Sequence, residues 1–214
     1  MSETKEHNFD PYKVIEYVGK NIFMIENIID NEICDKIITE MDTMEYEKLF
    51  FTNTNNVECY NVKNPTSLSI KNDIIDIFTK IIKTMNNIPF INSNSFSFFQ
   101  LRKIYGMTRE HADGVFGEII THPIDNALIK TTRNITMVIS LNDDFEGGVY
   151  HFPLQNVSIK AKKGRCLIFP PFWTHPHSVS SVNKNRYIVS SWGLTDNIVI
   201  NEDNSHLNNI IILN

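Results

Sequence analysis

The sequence predicts a mainly β fold in which two N-terminal helices pack on one sheet of a jelly roll. Three observations carry that expectation. Apolar residues recur at helical spacing in two segments of the first half. Strict two-residue alternation sets in after Phe96. Gly, Pro, Asn and Asp then interrupt the chain at short intervals, which is the punctuation of many short strands.

Taken in order, residues 1–20 read as a polar arm leading into a first strand or short helix, and residues 21–214 as one domain. Asn21 to Ile29 is strand-like, and Asp30 offers an N-cap for a helix over about 31–48. Its apolar stripe is Ile33, Ile37, Met41 and Met44, widened by Cys34 and Ile38. Residues 50–68, rich in Asn, Thr and Pro, read as a loop or irregular strand. A second helix over about 70–86 presents Ile74, Phe78, Ile81, Ile82 and Met85. Further on, Ile135, Met137, Ile139 and Leu141 share one face of a strand, and Asn134, Thr136, Val138 and Ser140 share the other. Turn chemistry at Asn142 to Gly148 precedes short strands near 148–152, 157–161, 165–169, 178–182 and 186–193. Gly147 and Gly148 suit a turn that requires positive φ. Residues 114–130 read as a lid or substrate loop over the barrel.

Composition narrows the function. The 214-residue chain has a net charge of −5 and a pI near 5.8, so it carries no basic footprint for nucleic acid or an anionic membrane. Cys34, Cys59 and Cys166 are scattered and odd in number, which argues against a disulfide framework and fits a reducing compartment. The opening Met-Ser-Glu-Thr-Lys-Glu-His is too polar for a secretory leader, and no apolar run approaches membrane-spanning length. A cytoplasmic protein is the expectation, with oligomeric state left open.

The chemistry concentrates in two places. In His111-Ala112-Asp113 an extended backbone points the imidazole and the carboxylate the same way, with α-carbons roughly 6–7 Å apart. Alone that pair means little, because seven histidines and 25 acids in 214 residues make about one such match by chance. About sixty residues later, however, comes Phe-Pro-Pro-Phe-Trp-Thr-His175-Pro-His177-Ser-Val179, followed by Arg186 on an alternating strand with Ile188, Ser190 and Trp192. A distant histidine completing a His-x-Asp pair makes a two-His-one-carboxylate facial triad with coordination positions left open. The donors suit Fe(II), and equally zinc with an activated water. Arg186 either faces the interior, where it needs an anion, or pairs with an acid on the surface.

At this point the chain resembles the prolyl 4-hydroxylase-like Fe(II)/2-oxoglutarate dioxygenases, from Ile25 to Leu194. The motifs are a binding loop with a Cys-containing helix (25–37), Tyr105 ahead of His111-x-Asp113, and Arg133-Asn-Ile-Thr136. Asn142, Glu146-Gly147-Gly148, Phe152-Pro153, Gly164, Phe169-Pro170, a distal His and Arg186-Tyr187 before Trp192 follow in order. The resemblance implies a double-stranded β-helix holding Fe(II) through His111, Asp113 and His177. It implies 2-oxoglutarate bound by Arg186, with Tyr105 as a second contact, and O2 as the other cosubstrate; ascorbate is a further candidate. His177 is taken over His175 because His-x-Val and the nine-residue step to Arg186 fit the pattern; His175 is the alternative, otherwise a neighbouring or substrate-facing group. The carboxylate of Asp113 favours hydroxylation over halogenation.

The implied reaction hydroxylates a C–H bond of a peptidyl proline or other protein or amino-acid side chain, releasing succinate and CO2. Small metabolites are also served by such scaffolds. The other readings are a non-catalytic jelly-roll binding module and a zinc-dependent hydrolase on the same scaffold. Phe169, Phe172, Trp173 and Trp192 read as barrel core or rim, and His122 and His151 as non-ligands. Arg133 reads as paired with an acid or as a substrate contact.

Overall fold

The computed structural model describes residues 3–49, 58–121 and 128–200. In chain order the strands and helices of the first half are β1 (Thr4–Asn8), β2 (Lys13–Tyr17), β3 (Ile22–Ile25), α1 (Asn31–Met41), β4 (Tyr46–Lys48), β5 (Glu58–Val62) and α2 (Lys71–Met85). There follow β6 (Ser95–Phe96), β7 (Gln100–His111), β8 (Phe116–Thr121), β9 (Leu128–Ser140), β10 (Val149–Phe152), β11 (Val157–Lys160), β12 (Cys166–Phe169) and β13 (His177–Ile200). Among the described residues the main path of the sheet runs β1-β2-β3-β12-β9-β13-β7-β5-β4. β10 leaves it by pairing with both β11 and β13, so the sheet folds over onto its own inner face. The result is a mainly β jelly roll with two helices, as the alternation predicts.

Alternation divides the apolar side chains into two cores. Ile135, Met137 and Ile139 of β9, Cys166 and Ile168 of β12, and Phe23 and Ile25 of β3 face the helices. There they meet Cys34, Ile37 and Met41 of α1 and Ile74, Phe78, Ile81 and Met85 of α2, all fully buried. Each such side chain contributes about 1.5–3 kcal/mol when taken out of water. The intervening residues, Val138, Leu167, Phe169, Ile22 and Met24, point the other way and form the inner core with Tyr150, Phe152, Val157 and Ile159 from the β10–β11 hairpin. The functional residues described below stand on that inner face.

Several elements differ from the sequence expectation. The polar N-terminal residues form a hairpin, β1–β2, which pairs onto β3 through Val14–Ile25 and Tyr17–Ile22. Val14 and Ile15, inside an otherwise charged stretch, are the residues that anchor it.

Helix α1 stops at Met41 rather than near 48. The Asp42 carboxylate accepts hydrogen bonds from Lys103 Nζ (2.9 Å) and Tyr187 Oη (2.8 Å), which draw the chain onto the sheet. Tyr46–Lys48 then pairs with β5, so Met44 lies beyond the helix. Ile33 is 37% exposed, and the buried stripe runs Cys34–Ile37–Met41.

Of the expected 50–68 loop, residues 50–57 lie outside the described residues, and Glu58–Val62 is a strand paired with β7. The two strands expected near 178–182 and 186–193 are one, β13, irregular where it changes register against β7 between Val182 and Arg186. Among the described residues no helix is long and apolar enough to cross a membrane.

Candidate metal centre

Two strands deliver the candidate ligands. His111 closes β7, Asp113 follows two residues later, and His177 opens β13 directly opposite His111 in the β7–β13 register. One nitrogen from each imidazole and one carboxylate oxygen all lie within 4.8 Å of one another. The two rings stand 4.5 Å apart between centroids, and His177 rests edge-on against Phe169 at 4.6 Å.

Each donor is aimed by a neighbour. His111 Nδ1 donates to the Arg109 carbonyl at 2.8 Å and His177 Nδ1 to the His175 carbonyl at 3.2 Å. Both rings therefore keep Nε2 free as a lone-pair donor, the tautomer a metal requires. Asp113 Oδ2 accepts from Thr136 Oγ1 (2.6 Å) and Trp192 Nε1 (3.2 Å), which turns Oδ1 toward His111 Nε2 at 3.4 Å.

The electrostatics match this arrangement. Burial pushes the Asp113 carboxyl up, but the His111 bond, the nearby His177 and the Thr136 hydroxyl outweigh it and hold the group well below the usual carboxylate range. The Asp113 contact raises His111, and burial lowers His177.

His175 turns away from the cluster. Its Nε2 bonds the Lys20 carbonyl at 2.8 Å and its Nδ1 meets Thr174 Oγ1 at 2.9 Å, so both nitrogens are occupied elsewhere. His151 points outward from β10, where its Nδ1 meets Ser158 Oγ at 2.9 Å. His122 lies outside the described residues.

Arg186 enters the same cleft and is 2% exposed. Its Nη1 donates to Tyr150 Oη at 2.7 Å and its Nη2 to Thr108 Oγ1 at 3.1 Å, while Nε is buried without a partner. Among the described residues no carboxylate forms an ion pair with it. The surface-pair reading of Arg186 is thereby set aside. A guanidinium cannot shed its proton, so this buried charge calls for an anionic ligand.

Tyr105 does not reach the cleft. Along β7, Arg102, Ile104 and Thr108 point inward, and Tyr105, 41% exposed, points outward. The tyrosine beside Arg186 is Tyr150, which arrives from β10 and is buried. It was legible in principle, since Tyr150 and Phe152 share a face of an alternating strand next to Gly147-Gly148.

Other expectations are corrected here too. Trp173 is 78% exposed and so not core, whereas Trp192 is 6% exposed and lines the cleft. Arg133 reaches the segment that carries Asp113. Its Nη1 donates to the Asp113 carbonyl at 2.7 Å, and its guanidinium lies 4.0 Å over the Trp192 ring. In the expected 114–130 loop, β8 pairs antiparallel with β9 through Phe116–Thr132 and Thr121–Leu128, and residues 122–127 lie outside the described residues. An apolar, β-branched run at Ile119-Ile120-Thr121 accounts for the strand.

Residues 102–193 match the family model of the 2OG-Fe(II) oxygenase superfamily, a span that contains His111, Asp113, His177 and Arg186. Human prolyl 3-hydroxylase 2 is 33% identical over 98 residues, 36% of this chain and 14% of that protein, so the match spans about one seventh of that relative's length. Among solved structures, the viral collagen prolyl hydroxylase of Paramecium Bursaria Chlorella virus-1, in its 2OG complex, superposes with a TM-score of 0.56 at 21% identity, covering 81% of this chain and 95% of that one. A Pseudomonas putida prolyl-4-hydroxylase gives 0.59 at 14% identity over 84% and 95%. A Trichoplax adhaerens prolyl hydroxylase, in complex with a hypoxia inducible factor peptide fragment, gives 0.59 at 14% over 83% and 84%. These likenesses place the chain in the jelly-roll fold of the prolyl hydroxylases.

Proposed function

We propose that this oxygenase binds Fe(II) through His111 Nε2, Asp113 Oδ1 and His177 Nε2, and 2-oxoglutarate through Arg186, and that it hydroxylates a C–H bond of a protein or peptide. The observation that carries the reading is the pairing, in one cleft, of a two-His-one-carboxylate cluster with a buried guanidinium that lacks a protein anion. Two neutral nitrogens and one hard oxygen fit Fe(II) and leave positions for a chelating cosubstrate and O2. When bound, iron with 2-oxoglutarate and O2 supplies the oxidising chemistry, giving succinate, CO2 and a hydroxylated carbon.

The chain's own residues hold this chemistry in place. Arg186 meets the distal carboxylate of the cosubstrate with a planar donor pair. Tyr150 Oη already accepts from Arg186, so its own hydrogen is left to donate to that carboxylate; Thr108 Oγ1 stands in the same relation to Nη2. Thr136 and Trp192 keep Asp113 ionised and monodentate. Phe169 and Phe152 back the His177 ring and exclude water behind it. Trp192, with Arg133 on its face, forms the wall against which the substrate lies.

Metal-assisted hydrolysis does not require such a group, so a buried Arg186 awaiting a carboxylate in the same cleft favours the oxygenase over a zinc hydrolase. The prolyl hydroxylases it resembles support a prolyl residue as the hydroxylated group, and the peptide-bound Trichoplax structure supports a peptide partner. Three free cysteines, two of them buried, support a cytoplasmic location.

The test is succinate release from 2-oxoglutarate by the Fe(II)-loaded protein, stimulated by proline-containing peptides that gain one oxygen atom by mass spectrometry. Release without any oxygen gain in the peptides, or no release at all, removes the reading.

A further inference from the structure

A second arginine in the cleft has no role in the scheme above. Arg102 stands on the inner face of β7, paired in register with Ile188, whereas Arg186 is paired with Ile104 one pleat away. Its guanidinium lies 6.0 Å from the Trp192 ring, whereas that of Arg186 lies 5.4 Å from the Tyr150 ring, and both arginines line the one cleft. Arg102 Nη2 donates to Gln100 Oε1, a neutral group, and Nε is buried without a partner. Among the described residues no carboxylate forms an ion pair with it, and Asp113 is the single acid lining the cleft.

Charge balance turns this into a statement about the ligand. Fe(II) carries two positive charges and 2-oxoglutarate two negative ones, and Arg186 offsets Asp113. The loaded site is therefore neutral before Arg102 is counted. Arg102 remains as one uncompensated cation that cannot deprotonate, on the wall shared with Trp192. Arg102 is half-buried, but its Nε–H is buried with no acceptor, a costly arrangement that one further anion in the cleft would complete. A planar fork with an open Nε–H matches a carboxylate best.

We infer that Arg102 is a specificity-determining residue that selects a primary substrate bearing a carboxylate near the hydroxylated carbon. This rests on the oxygenase reading. The carboxylate has two sources, an acidic side chain beside the target residue or the free α-carboxylate of a single amino acid.

The probes are matched pairs offered to the Fe(II)- and 2-oxoglutarate-loaded enzyme. Capped proline peptides carry Glu or Gln on either side of the proline, and free L-proline is set against L-prolinamide. Succinate release is the readout. The carboxylate member of at least one pair is expected to exceed its neutral partner by about tenfold or more, the worth of one charge-assisted hydrogen bond. The responding pair identifies the source.

Arg102→Met should abolish that preference and Arg102→Lys should restore part of it. In both variants the visible charge-transfer band of the anaerobic Fe(II)·2-oxoglutarate complex should saturate at the wild-type cosubstrate concentration. The inference is overturned if no carboxylate member exceeds its partner, whatever the absolute rates, or if the preference survives Arg102→Met. It is also overturned if Arg102→Met raises the cosubstrate concentration needed for the band, since the carboxylate held would then be that of 2-oxoglutarate. Absence of the band in the wild-type protein would sink the oxygenase reading itself, a different result.

Discussion

Replacing Tyr150 by Phe separates the cosubstrate pocket seen in the structure from the one the sequence suggested. Tyr150 Oη accepts from Arg186 Nη1 at 2.7 Å in a site where Arg186 is 2% exposed. Phenylalanine keeps the ring and removes the acceptor, leaving a second guanidinium nitrogen unpartnered beside the already orphaned Nε. Hydrogen bonds to charged groups are worth about 1.5–3 kcal/mol, and the buried position admits little solvent to replace one. The apo protein should lose stability in that range by urea unfolding. The variant also lacks the hydroxyl hydrogen aimed at the cosubstrate, so the 2-oxoglutarate concentration for half-saturation should rise by about tenfold. Anaerobic titration of the Fe(II) protein, following the charge-transfer band, measures this. Tyr105→Phe, at an outward-facing position, should change stability by less than about 0.5 kcal/mol and leave the titration unmoved. A raised half-saturation in Tyr105→Phe with none in Tyr150→Phe would refute the assignment of the pocket.

Three further outcomes are expected. His175→Ala should retain one metal per chain by metal analysis while losing about 1–3 kcal/mol, because the Lys20 carbonyl is left without its donor; loss of the metal would restore His175 as the ligand. Metal affinity should fall with pH from a higher value than for an ordinary histidine. Asp113 raises the His111 pKa, and the metal must displace that proton, whereas the depressed Asp113 stays ionised throughout. A flat Mn(II) affinity between about pH 8 and 5.5 contradicts this. Gly147→Ala should cost roughly 3 kcal/mol or more by thermal unfolding, since a Cβ there would sit 1.9 Å from the Ser181 carbonyl oxygen at φ +79°. Gly114→Ala, at φ +88° in open space, should cost only about 1–2 kcal/mol.

What was legible in the sequence follows from which signals are local. The α2 stripe of Ile74, Phe78, Ile81, Ile82 and Met85 is buried as its spacing requires. The 135–141 alternation separates a helix-facing from an inner-facing set along β9. Spacing also brought His111, Asp113, His177 and Arg186 to notice, and they share one cleft. The failures are places where a distant partner decides. The end of α1 depends on Lys103 and Tyr187 reaching Asp42, and no helical propensity near 42–48 reports that. Tyr105 was chosen for its position ahead of His111, but strand phase, fixed by the pairing of Ile104 with Arg186, turns it outward. Tyr150, Thr108 and Thr136 became functional candidates only once β10, β7 and β9 were set side by side.

The most direct measurement is anaerobic titration of the protein with Fe(II) and then 2-oxoglutarate, read as metal stoichiometry and as growth of the visible charge-transfer band. The account predicts one iron per chain and a saturating band, with both lost in Asp113→Ala and His177→Ala and with iron kept but the band weakened in Arg186→Met. A full-strength band in either ligand variant, or iron bound without any band in the wild-type chain, would contradict it.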